Sequence, residues 1–290
     1  MASLTGQDIN GYMIGPLIGG GGMGEVYQAM PPNGGHWVAL KVINNQTDVP
    51  DVDIQQRFVR EIRLMQSLSH KNIVPIYDYG IADPHIYFVM KLISGPRLRV
   101  LMEKQHFTPI MVWNIIKPIA EALAYTHQQN IIHRDLKPGN IFLERAGDDF
   151  HVYLGDFGLG KNLVEDNNIT APGSSVGTYD YMPAEAIKGI PLDHRADIYS
   201  LTAVSYELLL GQLPLDPTAG GNNLARSLAP RRFPTSLHNQ FPLALEDTLM
   251  KGLALEAADR YQSVNEFAYD FYDSLRKLSE TELHTSYWVS

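Results

Sequence analysis

His133-Arg134-Asp135-Leu136-Lys137-Pro138-Gly139-Asn140 is the stretch on which the reading of this chain turns. It lies between Ile131-Ile132 and Ile141-Phe142-Leu143, so a polar loop is pinned between two apolar runs. Between Asp135 and Asn140 it offers a carboxylate to orient a hydroxyl, a lysine to neutralise phosphate and an amide to bind a metal. Further on, Leu154-Gly155-Asp156-Phe157-Gly158 sets a second carboxylate between glycines at the exit of an apolar strand. Either segment alone fits a capped turn. Both together, in this order after a glycine-rich run and a strand lysine, are very unlikely to arise by chance.

The glycine-rich run is Ile18-Gly19-Gly20-Gly21-Gly22-Met23-Gly24-Glu25-Val26, with the spacing G-x-G-x-x-G-x-V at Gly19, Gly21, Gly24 and Val26. Without a Cβ, backbone N–H groups can approach phosphate oxygens closely. A flexible hairpin turn shares this pattern, as does a dinucleotide-binding turn. The latter needs a helix directly afterwards and an acidic residue about twenty positions on, whereas 26–29 reads as a strand leading to Pro31-Pro32. Val38-Ala39-Leu40-Lys41-Val42 then places one ammonium on an apolar strand. Such a lysine is ordinarily a solvated surface charge. Glu61 changes that reading, because it flanks the apolar face (Ile54, Phe58, Ile62, Met65) of a helix expected over 52–68. A helix-borne carboxylate can anchor the ammonium or withdraw from it; Arg60 or Arg63 could instead hold Glu61 at the surface.

Working outward, the first ninety residues alternate short apolar runs with Gly and Pro, which predicts strands over 12–18, 26–29, 37–42, 73–79 and 86–92. After Ser94-Gly95-Pro96 the pattern turns helical. Ile115, Ile119, Leu123 and Thr126 share a face, 197–210 is apolar nearly all round, and 243–255 and 267–275 are amphipathic. The chain of 290 residues is 44% hydrophobic and 19% charged, ordinary for a globular protein. A net charge of −9 argues against nucleic acid as the main partner. The absence of cysteine excludes disulfides, a thiol nucleophile and thiolate metal ligands. Residues 1–12 lack a secretory pattern, and the most apolar stretch, 201–215, is interrupted by Glu207, Gln212 and Pro214. No membrane insertion is expected within the chain. His70, His127, His151 and His194 show no metal-ligand spacing and read as surface or structural residues.

Taken together, these segments resemble the eukaryotic-like (Hanks-type) serine/threonine protein kinases over roughly 9–275, and the opening glycine run and the closing Asp259-Arg260-Tyr261-Gln262-Ser263 look most like the bacterial branch. The resemblance implies an α+β bilobal fold: an antiparallel-sheet lobe with one key helix (9–93) and a larger, mainly helical lobe (94–275). Residues 1–8 would be an N-terminal extension and 276–290 a polar tail or linker. By the same resemblance ATP is the cofactor, with Mg2+, or Mn2+ in its place. Ile18 and Gly19, Gly20, Gly21, Gly22, Met23 and Gly24 would cover its phosphates, and Lys41, paired with Glu61, would hold the α- and β-phosphates. Val26, Ala39 and Phe142 would surround the adenine, Met90 would guard the back of the pocket, and the backbone of Lys91 and Ile93 would bond the base. Asn140 and Asp156 would bind the metal, Asp135 would orient the acceptor hydroxyl, and Lys137 would neutralise the γ-phosphate.

Lys137-Pro138 together with Thr178 favours Ser/Thr acceptors within this family. Arg134 beside Asp135 implies control by phosphorylation of the segment 159–182, with Thr170 foremost, then Ser174 or Ser175, and Thr178 also a hydroxyl of that segment. Protein substrates, a homodimer or a copy phosphorylated in trans, and a cytoplasmic location (or the cytoplasmic domain of a longer protein) follow as expectations. Three departures from the family pattern stand out: Lys91 in place of an acidic residue, Met182-Pro183-Ala184-Glu185 with its proline one place early, and Thr202 in place of a glycine. Glu185 is expected to pair with Arg260, and Asp197 to brace the catalytic loop. A pseudokinase would lack one of Lys41, Asp135, Asn140 or Asp156, and all are present. A small-molecule kinase of related fold is disfavoured by Arg134, the Thr178 loop and Glu185.

Overall fold

A computed structural model of the chain describes residues 3–21, 24–43, 52–82, 85–147, 149–157, 179–215, 228–229, 231–237 and 240–288. They fall into two units, one reaching to Ser94 and one beginning at Gly95. The smaller unit is a six-stranded antiparallel sheet. Its strands are β1 Asp8–Ile9, β2 Tyr12–Gly21, β3 Gly24–Met30, β4 Val38–Ile43, β5 Ile76–Ala82 and β6 His85–Lys91, in the order β1-β2-β3-β4-β6-β5. Helix α1 Val52–Gln66 lies in the sequence between β4 and β5, with Phe58 and Ile62 fully buried.

Alternation along the strands sorts this sheet into two faces. Tyr27, Ala29, Val38, Leu40, Val42, Tyr87 and Val89 build one apolar cluster with Leu4, Ile9, Tyr12 and Ile14. The intervening Val26, Ala39, Lys41, Phe88 and Met90 therefore project from the opposite face. Gly24 opens β3 with φ at +143°, and a Cβ there would stand 2.1 Å from Val42 O, so only glycine fits.

Three expectations shift here. β2 runs on through the glycines to Gly21, with register shifts on both sides of Leu17, close to Pro16, which has no N–H for the ladder. The strand expected over 73–79 begins only at Ile76, because Pro75 cannot donate; its carbonyl accepts Lys91 N–H at 3.1 Å instead. The residues expected as an extension join the unit. β1 pairs with β2, Gly6 N–H donates to Ile14 O at 2.8 Å, and Leu4 is buried.

The larger unit contains helices α2 Leu98–Met102, α3 Pro109–Gln128, α4 Ala184–Ile187, α5 Arg195–Leu210, α6 Leu243–Gly252, α7 Val264–Arg276 and α8 Glu280–Leu283, and the hairpin β7 Ile141–Ala146 with β8 Asp149–Leu154. α5 is buried at every position from Ala196 to Leu210, which accounts for its lack of a polar stripe. Thr202 and Ser205 donate within the helix to the carbonyls of Ile198 and Leu201, while the Ser200 hydroxyl lies 2.8 Å from Tyr181 O outside it and 3.1 Å from Ala196 O inside it. Thr202 is accommodated by a glycine on α6. A Cβ on Gly252 would lie 2.3 Å from Thr202 Oγ1.

Residues 276–288, expected as a polar tail or linker, fold onto this unit. Ser279 and Glu282 form a capping box that starts α8, Tyr287 packs against Phe241 at 5.0 Å, and Trp288 stacks on His106 at 4.2 Å. Trp288 Nε1 donates to Leu208 O at 2.8 Å. Ser279 and Glu282 are thus cap residues and the two aromatics are anchors. At the other end of the unit, Leu143 N–H donates to Pro96 O at 3.0 Å, and a Cβ on Gly95 would lie 1.7 Å from Leu143 O. Among the described residues no helix is long and apolar enough to cross a membrane.

Candidate active site

The polar loop after α3 hangs from one buried carboxylate. Asp197, in the first turn of α5, accepts the backbone N–H groups of His133 at 2.8 Å and Arg134 at 2.9 Å, while His127 Nε2 lies 2.8 Å from its Oδ2. Burial alone would raise the Asp197 carboxyl, but the bond from His127 and the backbone N–H of His133 hold it below its ordinary range. His127, read from the sequence as surface or structural, is part of this brace. The signal for it was a carboxylate in the first turn of a nearly all-apolar run, which must find partners once buried.

His133 is wholly buried, and burial pushes its pKa down. Its Nδ1 accepts Asp135 N–H at 3.2 Å, so the proton sits on Nε2 and donates to Gly155 O at 3.0 Å. A neutral imidazole therefore joins the Asp135 segment to the Asp156 segment. Gly155 N–H adds a second tie, donating to Asn140 O at 3.0 Å.

Asp135 is buried, and its carboxylate is held in place. Its Oδ2 lies 2.9 Å from Lys137 Nζ and 3.0 Å from Asn140 Nδ2, and the same amide nitrogen donates to Asp135 O at 2.8 Å. With the amide hydrogens of Asn140 directed at Asp135, its Oδ1 is the atom it can offer a metal. The strand pair Ile141–Leu154 brings Asn140 and the Gly155-Asp156 corner to the same end of the hairpin. An amide oxygen and a carboxylate are hard donors, suited to a divalent ion that keeps waters and takes phosphate oxygens. Arg134 and Asp156 sit at φ of +65° and +53°, left-handed conformations that cost non-glycine residues about 1–3 kcal/mol each. Asn10 and Asn130 share that region among the described residues, but asparagine tolerates it more readily.

The smaller unit carries the other named residues. Lys41 pairs with Val26 and Phe88 across the ladder, its Nζ 5.8 Å from the Phe88 ring centroid. Glu61 is partly buried on α1 beside Ile62, and Arg63 turns away to donate to Tyr79 OH at 2.8 Å. Val26, Ala39 and Met90 are buried on the Lys41 face, with Ala39 paired to Met90. Lys91 N–H is bonded to Pro75, so any bond it makes to a base must come from its carbonyl. Ile93 is partly exposed in the connector, and Ile18 is 43% exposed on β2. Gly19, Gly20 and Gly21 lie on β2; a Cβ at Gly21 would meet nothing within 4 Å and one at Gly20 only ordinary contacts, so packing within the unit does not demand glycine there. The sequence leaves open space where side chains would stand, which suits a phosphate cradle. Phe142, on β7, belongs to the larger unit. Gly22, Met23, Thr170, Ser174, Ser175 and Thr178 lie outside the described residues.

Beyond the loop, Pro183 precedes α4 at its N-cap and accepts Ala186 N–H at 3.1 Å, so the early proline starts a helix. Glu185 and Arg260 form the expected pair, bidentate at 2.6 and 2.8 Å, with Arg260 also donating to the carbonyls of Ala254 and Leu255. A cluster not foreseen from the sequence joins Tyr181, Arg99 and Glu207. The Tyr181 hydroxyl donates to the Glu207 carboxylate, and Arg99 bonds both. Burial, then the Glu207 charge, raises the Tyr181 pKa. Glu207 had read only as a break in an apolar stretch; its burial explains why it needs two partners.

The protein kinase domain family matches residues 12–277. The chain belongs to the protein kinase family. Its fold is accordingly the α+β protein kinase fold, with an antiparallel-sheet lobe and a mainly helical lobe. Similar kinases include serine/threonine-protein kinase PknD of Mycobacterium tuberculosis, 36% identical over 93% of this chain and 40% of that protein. Serine/threonine-protein kinase PknJ of the same organism is 33% identical over 91% of this chain and 45% of its own length. The crystal structure of the M. tuberculosis PknI kinase domain superposes with a TM-score of 0.73 at 28% identity, covering 94% of this chain and 100% of that one. The chain spans less than half the length of the curated kinases it matches.

Proposed function

We propose that this kinase domain, over 9–275, transfers the γ-phosphoryl group of ATP to serine and threonine hydroxyls of protein substrates. The single observation that carries the reading is the buried Asp135 carboxylate, set by Lys137 and Asn140 on a backbone fixed by Asp197. Asp135 orients the acceptor hydroxyl and takes up its proton. Lys137, at hydrogen-bond distance from that carboxylate, places positive charge where negative charge grows on the transferring group. Asn140 and Asp156 hold magnesium, or manganese in its place, and the ion when bound screens the phosphate charge. Lys41, positioned by Glu61, binds the α- and β-phosphates, and the glycine strand supplies backbone N–H groups to the phosphates. Val26, Ala39, Met90 and Phe142 receive the adenine, with Lys91 and Ile93 offering backbone bonds.

Phosphorylation of the chain by itself, at Thr170 first and then Ser174, Ser175 or Thr178, sets its activity in this proposal, with a second copy as the partner in trans. Arg134, whose exposed side chain follows directly on the braced His133, is the group that would receive the phosphate. The cytoplasm, where ATP is abundant, is the expected location. The test is transfer of label from γ-labelled ATP with magnesium to the chain itself and to a generic protein substrate. Asp135→Asn should cut transfer by about a hundredfold or more while nucleotide binding persists. Equal transfer by both proteins would overturn the reading, and mass spectrometry finding 159–182 unmodified in active protein would remove the self-phosphorylation part.

A further inference from the structure

Arg97 stands where the chain enters the larger unit, immediately before α2. That N-cap position favours Ser, Thr, Asp or Asn, whose side chains bond the first N–H groups of a helix. Arg97 makes no such bond, and a cation at this end opposes the helix dipole. The start of α2 is therefore not what this arginine serves. Its guanidinium instead lies 5.0 Å from the centroid of Phe142, and Nη1 donates to Gly139 O at 3.1 Å. Gly139 belongs to the loop of Asp135 and Asn140, so a positive charge is fastened to the rim of the acceptor loop. A guanidinium has five N–H donors, and among the described residues Arg97 makes no ion pair. Next to it the loop is open: a Cβ on Gly139 would meet nothing within 4 Å. Among the described residues, that side of Gly139 is not packed against protein.

We propose that Arg97 is a specificity-determining residue, which selects protein substrates carrying an anionic side chain close to the acceptor hydroxyl. The proposal rests on the kinase reading of the same site and names its substrate class. The net charge of −9 repels acidic peptides as a whole, so a preference for them has to come from a local cation such as this one. Lys137, the neighbouring cation on the loop, is already engaged by Asp135 at 2.9 Å.

The experiment compares kcat/KM of the full chain on a serine peptide panel, each peptide carrying one Asp within about four residues of the acceptor, against the Asn and Lys counterparts. The expected result is a preference of about fivefold for Asp over Asn at one or two positions, the size of a partly exposed charge pair. Arg97→Lys should retain part of the preference, and Arg97→Glu should reverse it toward the Lys peptides. Ratios within each variant are unaffected by a general loss of folded protein. A ratio near one in the unmodified chain, a ratio unchanged in Arg97→Glu, or an effect confined to KM for ATP would each overturn the assignment while leaving the kinase reading intact. Absence of transfer to every peptide and to the chain itself would sink both.

Discussion

Asp135, His133 and Asp197 show how little freedom the loop side chains retain. Asp135→Asn keeps the shape and the bond acceptor but loses the proton-accepting charge, so transfer should fall by about a hundredfold or more. The melting temperature should change little, which separates chemistry from folding. His133 makes a different, pH-dependent prediction. Its folded pKa lies below the ordinary 6.5, so between those two values the unfolded chain binds a proton that the folded chain refuses. Stability should therefore rise with pH through that window and fall as pH drops below about 6.5. Urea denaturation between about pH 7 and pH 5 measures the slope; His133→Phe should flatten it, although it lowers stability at neutral pH by removing the bond to Gly155. An equal slope in both proteins would assign the effect elsewhere. Asp197 acts at the opposite end of the scale, because its lowered carboxyl loses its stabilising contribution only on acidification below about 3.8.

Among the elements, α5 is buried from Ala196 to Leu210, and it meets α6 closely at Thr202. Gly252→Ala should gain about 1 kcal/mol of helix propensity but force a methyl against the stiff, buried Thr202, costing about 1–3 kcal/mol. The clash wins, and the variant should melt lower; adding Thr202→Ala should recover much of the loss, a coupling that a double-mutant cycle reads directly. Much of this layer was legible in advance. The alternating runs 26–29, 37–42 and 86–92 became strands because the two faces of a half-buried sheet impose a period of two. The all-round apolar run at 197–210 became a central helix because no side of it meets water. What escaped was tertiary in origin. Pro75 delayed β5 through a missing donor, the glycines continued β2 where composition suggested a loop, and Arg99 with Tyr181 found Glu207 from 108 and 26 residues away. Of the site, Asp135, Lys137, Asn140 and Asp156 were named from their two motifs together with the family resemblance those motifs carry. The tautomer of His133 could not be named so, since it depends on a carbonyl 22 residues distant.

At the scale of the whole molecule, the larger unit is closed by long-range fastenings. Glu185 and Arg260 are 75 residues apart and bury a bidentate pair. Removing one partner with Arg260→Ala strands the other charge and should cost about 3–5 kcal/mol, read as a drop in the denaturation midpoint together with lost transfer to protein substrates. The C-terminal aromatics act similarly on a smaller scale. Truncation before Ser279 exposes the surface under Tyr287 and Trp288 and should lower stability by about 2 kcal/mol; an unchanged melt would mean that the segment rests on the unit without holding it. Gly95 opens this unit with its α-carbon almost against the carbonyl of Leu143. No genetic code offers a second amino acid without a side-chain carbon, so every missense change in that codon pushes a methyl or more into an immovable oxygen. In a saturation library selected for function, that codon should tolerate synonymous exchanges alone.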